Sequence, residues 1–416
     1  MKSNKHLALT YLKQKEHNGL TYAQISELTG YSISYLKKLK IKVENEDIES
    51  LTTHGLIDKK SNNHANEQEI NFIIKFKEQY PIISISQFQD IYNEQVIFNN
   101  RMKQTVTKYN LKQRSYSFFQ SLFKKQGWKS PCKHKIKGKK QSHTLREPMP
   151  KRGILVMMDG TPHDWFNNGK PFSLHLAIDD ATGEYLCGYF MPTERLEGYC
   201  RVLMILLTKY GIPENLYTDK HTIFKSSVEF NLTTFGEICE DLGINLIYAN
   251  TPEAKGKIER ANRTLQGRLL VDIKRYNIQT YQELNVFFNE KYCNYLNHKF
   301  AYEPKDKDSS FVKLEENFDL LSYMCIRTER KFLKGNVFSY NNCYYKITDK
   351  HGEIIHLYQG TSIEVRENIF NQKITVKYKK IIYNTVLIEK RNRKDSVQKV
   401  INDQKDLLEY FNNKKE

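Results

Sequence analysis

The chain has 416 residues, with 65 Lys plus Arg against 48 Asp plus Glu, a formal charge of +17 and a pI near 9.2. No apolar run approaches the length of a membrane span, and the polar start Met1-Lys2-Ser3-Asn4-Lys5-His6 leads into no signal-peptide core, so no membrane partner and a cytoplasmic location are expected. So large a cationic excess suits a phosphate backbone, and the length allows roughly two to four domains.

Residues 1–45 predict a small helical unit with a helix-turn-helix cadence. Thr21 caps a first helix with Gln24 at the capping-box position, and Ala23, Ile25 and Leu28 are expected to face a core. Gly30 permits the tight turn. Ser32 caps a second helix whose Ile33, Leu36 and Leu39 or Lys40 spacing gives one buried face. That leaves Ser34, Tyr35, Lys37 and Lys38 for DNA. The polar stretch 46–66 reads as a linker. Residues 67–128 predict a second helix-turn-helix unit. Its recognition helix is Ser115 to Trp128, with Tyr116 near the start. Two reading modules in tandem suit a long DNA end. Residues 129–152 form a basic linker in which Lys135, Lys137, Lys139 and Lys140 are candidate phosphate contacts.

Residues 153–310 alternate strand and helix. Strands are expected over 153–159, 173–178, 185–190, 214–218 and 245–248, with helices over 198–210 and 233–242. Asp179 and Asp180 fall in the turn joining the second and third strands, where an Asx turn is expected. Asp159 ends the first apolar run and Asp219 the fourth. Glu259 lies on a long helix beginning near Glu253, with Ile258, Ala261, Leu265 and Leu269 on its packing face. Lys255, Arg263 and Gln266 share the face of Glu259 at helical spacing and are candidate DNA contacts. A single Asp at a strand end is usually a turn former. Three carboxylates in the order strand, strand, helix, within so basic a chain, instead suggest a shared site for hard divalent cations.

Residues 329–390 change to short alternating strands over 337–340, 343–347, 362–366, 373–378 and 385–388, which predict a small β-barrel. The charged tail 391–416 permits one amphipathic helix through Val397, Val400, Ile401, Leu407, Leu408 and Phe411. The seven cysteines include no CxxC pair, so they read as reduced thiols without a zinc set.

Three stretches carry a family resemblance: Met158 to Trp165, Tyr217 to Phe224, and Ala249 to Gln266. They resemble the DDE catalytic core of retroviral-type integrases and bacterial insertion-sequence transposases. The Pro162-His163-Asp164-Trp165 variant is most similar to ISNCY-type elements, near IS481 and IS3. Two features depart from the common pattern: Lys220-His221 follows the second Asp where Asn-Gly is usual, and the interval to Glu259 is longer. The resemblance implies a multidomain α+β protein: helix-turn-helix units, an RNase H-like core and an SH3-like barrel. It implies Asp159, Asp219 and Glu259 as catalytic and metal ligands for two Mg²⁺, with Mn²⁺ able to substitute. It further implies cleavage at transposon ends, strand transfer into target DNA, and a homo-oligomer, at least a dimer, acting at the nucleoid. The rival reading is a catalytically inactive DNA-binding repressor derived from a transposase, against which the intact acid trio weighs.

Overall fold

The computed structural model describes residues 4–45, 48, 51, 64–131, 147–226, 228, 231–249 and 256–390. Most of the 46–66 and 129–152 linkers and all of the 391–416 tail lie outside these residues. The chain divides into two units, residues 1–81 with 91–114, and residues 82–90 with 115–416.

In the first unit, helices α1 (Asn4–Lys13), α3 (Tyr22–Thr29) and α4 (Ile33–Asn45) enclose Ala8, Leu9, Leu12, Ile25, Leu36, Leu39 and Val43; α2 is one turn, Lys15–Asn18. The capping box at Thr21 and Gln24 forms as expected, and Gly30 takes φ 75° to end α3. The expected core face of α3 is corrected. Leu28 and Ala23 are exposed, as is Ile33 on α4. Ile25 is buried as expected, Thr29 joins it one turn on, and the Thr29 hydroxyl donates to the Ile25 carbonyl at 2.6 Å. The hydroxyl thereby fits an apolar face without an unmet donor. Further along, α5 (Glu67–Glu78) is capped by Asn66, and α7 (Lys103–Tyr109) follows α6 (Ile85–Tyr92), whose residues 85–90 fall in the second unit. Glu69 and Arg114, both nearly inaccessible, form a buried ion pair that Lys112 completes through its backbone N–H.

The second unit is built on a five-stranded sheet of order β4-β3-β2-β5-β6. The strands are β2 (Leu155–His163), β3 (Phe172–Asp179), β4 (Tyr185–Met191), β5 (Asn215–Thr218) and β6 (Asn245–Tyr248). The first three are antiparallel; β5 and β6 run parallel to β2. Every residue of β3 is buried, because helices cover both faces. One face packs on α9 (Leu196–Lys209) and α10 (Thr234–Asp241) through Val156, Met158, Leu203 and Phe235. The other packs on α11 (Gly256–Arg275), α12 (Tyr281–Phe287) and α13 (Cys293–Phe300) through Met157, Leu176, Ile258, Leu265 and Phe288. The edge strand β4 is closed by side chains. Asn285, Asn289 and Asn297 each pair both amide atoms with the backbone of Phe190, Gly188 and Tyr185 respectively, at 2.6–3.0 Å. These amides take the place of a further strand and blunt an otherwise open edge.

Helix α8 (Tyr116–Lys125) packs Phe119 and Phe123 against Phe88 of α6. Buried Gln87 donates to the Arg268 carbonyl and to Asp272, while Asp90 pairs with Arg268 and Lys299. After the short β1 (Lys151–Arg152) and β7 (Asp306–Ser309) pair, six antiparallel strands form a second sheet of order β8-β11-β12-β13-β10-β9. They are β8 (Cys325–Lys331), β9 (Phe338–Tyr340), β10 (Cys343–Thr348), β11 (Ser362–Asn368), β12 (Ile374–Tyr378) and β13 (Ile381–Lys390), around Phe332, Phe338, Ile347, Val365 and Val376. Among the described residues no helix is long and apolar enough to cross a membrane.

Candidate active site

Two of the three acids lie on or just past a parallel strand pair. Strands β2 and β5 pair in parallel with Met157 opposite Tyr217. Asp159 follows two residues later on β2, and Asp219 is the first residue past the end of β5, so both lie beyond the last pair at the same end of these strands. Alternation on β2 sends Val156 and Met158 to the α9 face and Met157 to the α11 face, so Asp159 and Thr161 face α11.

Helix α11 meets that row with matching polar groups. Asn262 Nδ2 donates to Asp159 Oδ2 at 2.9 Å, and Gln266 Nε2 donates to Thr161 Oγ1 at 3.2 Å. The helix therefore runs alongside β2 with one edge on Asp159 and Thr161. Glu259 lies on that edge, one turn before Asn262 or about 4.5 Å of axial rise, and is exposed. Among the described residues, no three His, Cys, Asp or Glu side chains stand close enough together to enclose a metal ion. Asp219 also serves its own loop, accepting the His221 N–H at 3.0 Å in an Asx turn.

The donor chemistry nevertheless suits a hard divalent cation, since all three candidate side chains offer only oxygen. Asn262 Oδ1, buried beside Asp159, has no hydrogen-bond partner among the described residues, a second oxygen available at the same place.

Behind the strand end lies a cluster that sequence reasoning missed. Tyr199 donates its hydroxyl to Glu194 Oε1 at 2.6 Å, and its ring meets His175 edge-on at 4.6 Å. Burial pushes the Tyr199 hydroxyl far above its ordinary pKa; Glu194, then Asp159 and Asp219, push the same way. Tyr199 therefore stays protonated. His175 is fully buried, and burial lowers its pKa below 6.5. The Arg195 N–H approaches Nε2 at 3.4 Å and the Tyr189 carbonyl approaches Nδ1 at 3.2 Å, an arrangement met by the neutral ring protonated at Nδ1. Gly160 faces this cluster: a Cβ there would lie 2.5 Å from both the Glu194 carboxyl carbon and the Tyr199 hydroxyl. The only sequence signals for the cluster were the glycine after Asp159 and, for Asn262, its spacing of three from Glu259.

The remaining predicted residues divide. Ser34, Tyr35, Lys37 and Lys38 are exposed on α4, Tyr116 at the start of α8, and Arg263 on α11. Gln266 is half-buried on Thr161. Lys135, Lys137, Lys139, Lys140 and Lys255 lie outside the described residues. In the Pro162-His163-Asp164-Trp165 stretch, Trp165 is buried with its indole N–H on the Phe172 carbonyl, and Asp164 accepts the N–H groups of Asn168 and Gly169. That motif shapes the β2–β3 turn.

No family model matches the chain. Its curated relatives are transposases, in keeping with the resemblance to an insertion-sequence transposase. It is 40% identical over 169 residues to the transposase for insertion sequence IS1202 of Streptococcus pneumoniae, a match covering 37% of this chain and 36% of that protein. It is 34% identical over 207 residues to y4bF of Sinorhizobium fredii (strain NBRC 101917 / NGR234), itself only proposed to be a transposase, covering 47% of this chain and 44% of that one. The chain thus spans less than half the length of these relatives. Two solved structures overlap it loosely. One is a simian T-cell lymphotropic virus intasome with the PP2A regulatory subunit B56 gamma, at 12% identity and TM-score 0.29 over 59% of this chain and 85% of that one. The other is the HTLV-2 integrase catalytic core with magnesium, at 16% identity and TM-score 0.26 over 34% of this chain and 89% of that one.

Proposed function

We propose that this chain is an insertion-sequence transposase that binds element ends and catalyses divalent-metal-dependent DNA cleavage and strand transfer. The observation that supports the reading is that Asp159 on β2 and Asp219 just past β5 follow the same end of one parallel strand pair, with Asn262 of α11 donating to Asp159. The five-stranded sheet is read as an RNase H-like core over 153–310. Residues 1–45 and 67–128 are read as helix-turn-helix units, and 329–390 as an SH3-like barrel.

Asp159, Asp219 and Glu259 would hold two Mg²⁺, or Mn²⁺ in their place. Bound there, the cations supply Lewis acidity toward phosphate oxygen and a nucleophile at neutral pH. Asn262 orients Asp159 by holding its Oδ2. Tyr199, kept protonated, adds no further anion behind two carboxylates and holds Glu194 through its hydroxyl. The exposed cations of α4 and Arg263 suit phosphate contacts that position DNA without reading its bases. The reaction is hydrolysis of the phosphodiester at the element end, followed by attack of the freed 3′-OH on target DNA. It needs no covalent protein intermediate. Two ends brought together imply at least a homodimer on DNA, working at the nucleoid in the cytoplasm.

The test is incubation of the protein with labelled element-end DNA and Mg²⁺ or Mn²⁺. Nicking at the end and joining to a target strand are expected. Tight end binding with neither product would mark a DNA-binding repressor instead.

A further inference from the structure

Asp180 is a charged residue with no solvent exposure at the corner between β3 and β4. The corner does not need its carboxylate. Asp179 already closes the turn, accepting the backbone N–H groups of Gly153 and Thr182 and the Thr182 hydroxyl at 2.9–3.0 Å. The Asp180 side chain reaches elsewhere. It accepts the Met149 N–H at 2.9 Å and pairs with Lys257 Nζ at 3.0 Å, and the same ammonium donates to the Asp180 carbonyl at 2.6 Å.

Lys257 is the second residue of α11, two before Glu259. A cation in the first turn of a helix is opposed by the helix dipole, so its place there is not explained by the helix itself. A buried carboxylate is tolerated only when well paired, and Lys257 supplies that charge. At about 100° per residue, side chains two apart on a helix point roughly 200° from each other. With Lys257 gripping the β3–β4 corner on one flank of α11, Glu259 is turned to the opposite flank, where Asn262 and Gln266 meet β2. The two flanks together fix both the rotation and the seating of the first turns.

We infer that the Lys257–Asp180 pair is a positioning device for Glu259: it sets the phase of the start of α11 so that Glu259 faces Asp159 and Asp219. Neither residue touches the reacting atoms. The inference rests on the reading of the three acids as a divalent-metal site.

The experiment measures Mn²⁺ binding to the full chain by electron paramagnetic resonance, with amide hydrogen exchange over 256–262, for the wild type, Glu259→Gln, Lys257→Met and Lys257→Arg. Loss of a partner that orients a ligand costs metal affinity about 10- to 100-fold. Lys257→Met is expected to weaken Mn²⁺ binding at least about 10-fold on that scale, and to speed exchange at the start of α11. Lys257→Arg, which keeps the ion pair, is expected to restore both. Binding of element-end DNA stays at the wild-type level. Should Lys257→Met fail to fold with Asp180 left unpaired, the double variant Asp180→Asn/Lys257→Met removes the orphan charge and must show the same loss of Mn²⁺ binding. Wild-type Mn²⁺ affinity in a folded variant lacking the pair, with Glu259→Gln impaired, overturns the positioning role alone. Wild-type affinity in Glu259→Gln removes the metal-site reading itself.

Discussion

Gly160→Ala adds one methyl group next to a candidate ligand and nowhere near a strained backbone, since Gly160 sits within β2 and lacks a positive φ. The new Cβ would lie 2.5 Å from the Glu194 carboxyl carbon, 2.6 Å from Glu194 Oε1 and 2.5 Å from the Tyr199 hydroxyl. Glu194 is half-buried and has room to swing. Tyr199 does not: its ring is 1% exposed and is wedged against His175 at 4.6 Å and Phe224 at 4.5 Å. Overpacking of this kind costs about 1–3 kcal/mol. Separating the Tyr199 hydroxyl from the Glu194 carboxylate adds about 1.5–3 kcal/mol, the usual size for a hydrogen bond to a charged group. The expected loss is therefore at most about 2.5–6 kcal/mol, the sum of these two ranges, and smaller where Glu194 relaxes. Urea denaturation of Gly160→Ala, Tyr199→Phe and the double variant tests the origin. Tyr199→Phe removes the hydroxyl that the methyl group strikes, so the double variant should lose less than the sum of the singles. A Gly160→Ala protein as stable as wild type, or strictly additive losses, would refute the contact.

Three further outcomes are expected. His175 has its pKa lowered by burial, so between its folded value and 6.5 the unfolded chain binds the extra proton; stability should fall as pH drops below 6.5, by at most about 1.4 kcal/mol per unit, and denaturation of His175→Gln from pH 7 to 5 should show a shallower slope. Asn289→Asp exchanges the amide donor to the Gly188 and Asn285 carbonyls for a carboxylate oxygen and should cost about 2–3 kcal/mol in thermal unfolding, whereas Asn294→Asp on the solvent side should be nearly neutral. Arg263→Ala, at an exposed position, should leave folding intact and reduce strand joining more than end binding, as followed by gel assays of both; equal losses in the two would place Arg263 in end recognition.

How far the sequence revealed this depends on which residues carry each element. Strands β3 to β6 were legible nearly to their ends, because a sheet covered on both faces writes largely apolar runs such as Leu174 to Ile178, whereas β2 runs four residues past the expected end at Asp159, to His163, through residues whose sequence is not apolar. Strand β8, Cys-Ile-Arg-Thr-Glu-Arg-Lys, was not, since only Cys325 is buried and the rest is charged or half-exposed. Helices α12 and α13 and the helical turn Phe288–Tyr292 between them were hidden for a related reason: Asn285, Asn289 and Asn297 bond an edge strand, and no hydrophobicity pattern registers that. In α3 the buried face contains Thr29, which pairs with its own helix, so a search for apolar spacing chose Leu28 in its place. For the candidate site, the acids were visible as residue types, although Asp159 lies within β2 and not at its end as expected, Asp219 just past β5 and Glu259 on α11. Asn262, Tyr199 and Glu194 were not, because their partners are set by how α9 and α11 seat on the sheet. Asp179 forms the turn expected of it, while Asp180 beside it faces Lys257, a distinction that adjacent identical residues cannot carry in sequence.

Asp159, Asp219 and Glu259 are proposed to act together on a DNA phosphodiester. The direct measurement uses labelled element-end DNA and the variants Asp159→Asn, Asp219→Asn and Glu259→Gln, each assayed with Mg²⁺ and Mn²⁺ beside end binding. Each variant should lose cleavage and joining while holding the DNA nearly as well as wild type, because metal charge is removed and phosphate contacts elsewhere remain. Substantial metal-dependent cleavage by any one of the three would contradict the shared site and remove that residue from it.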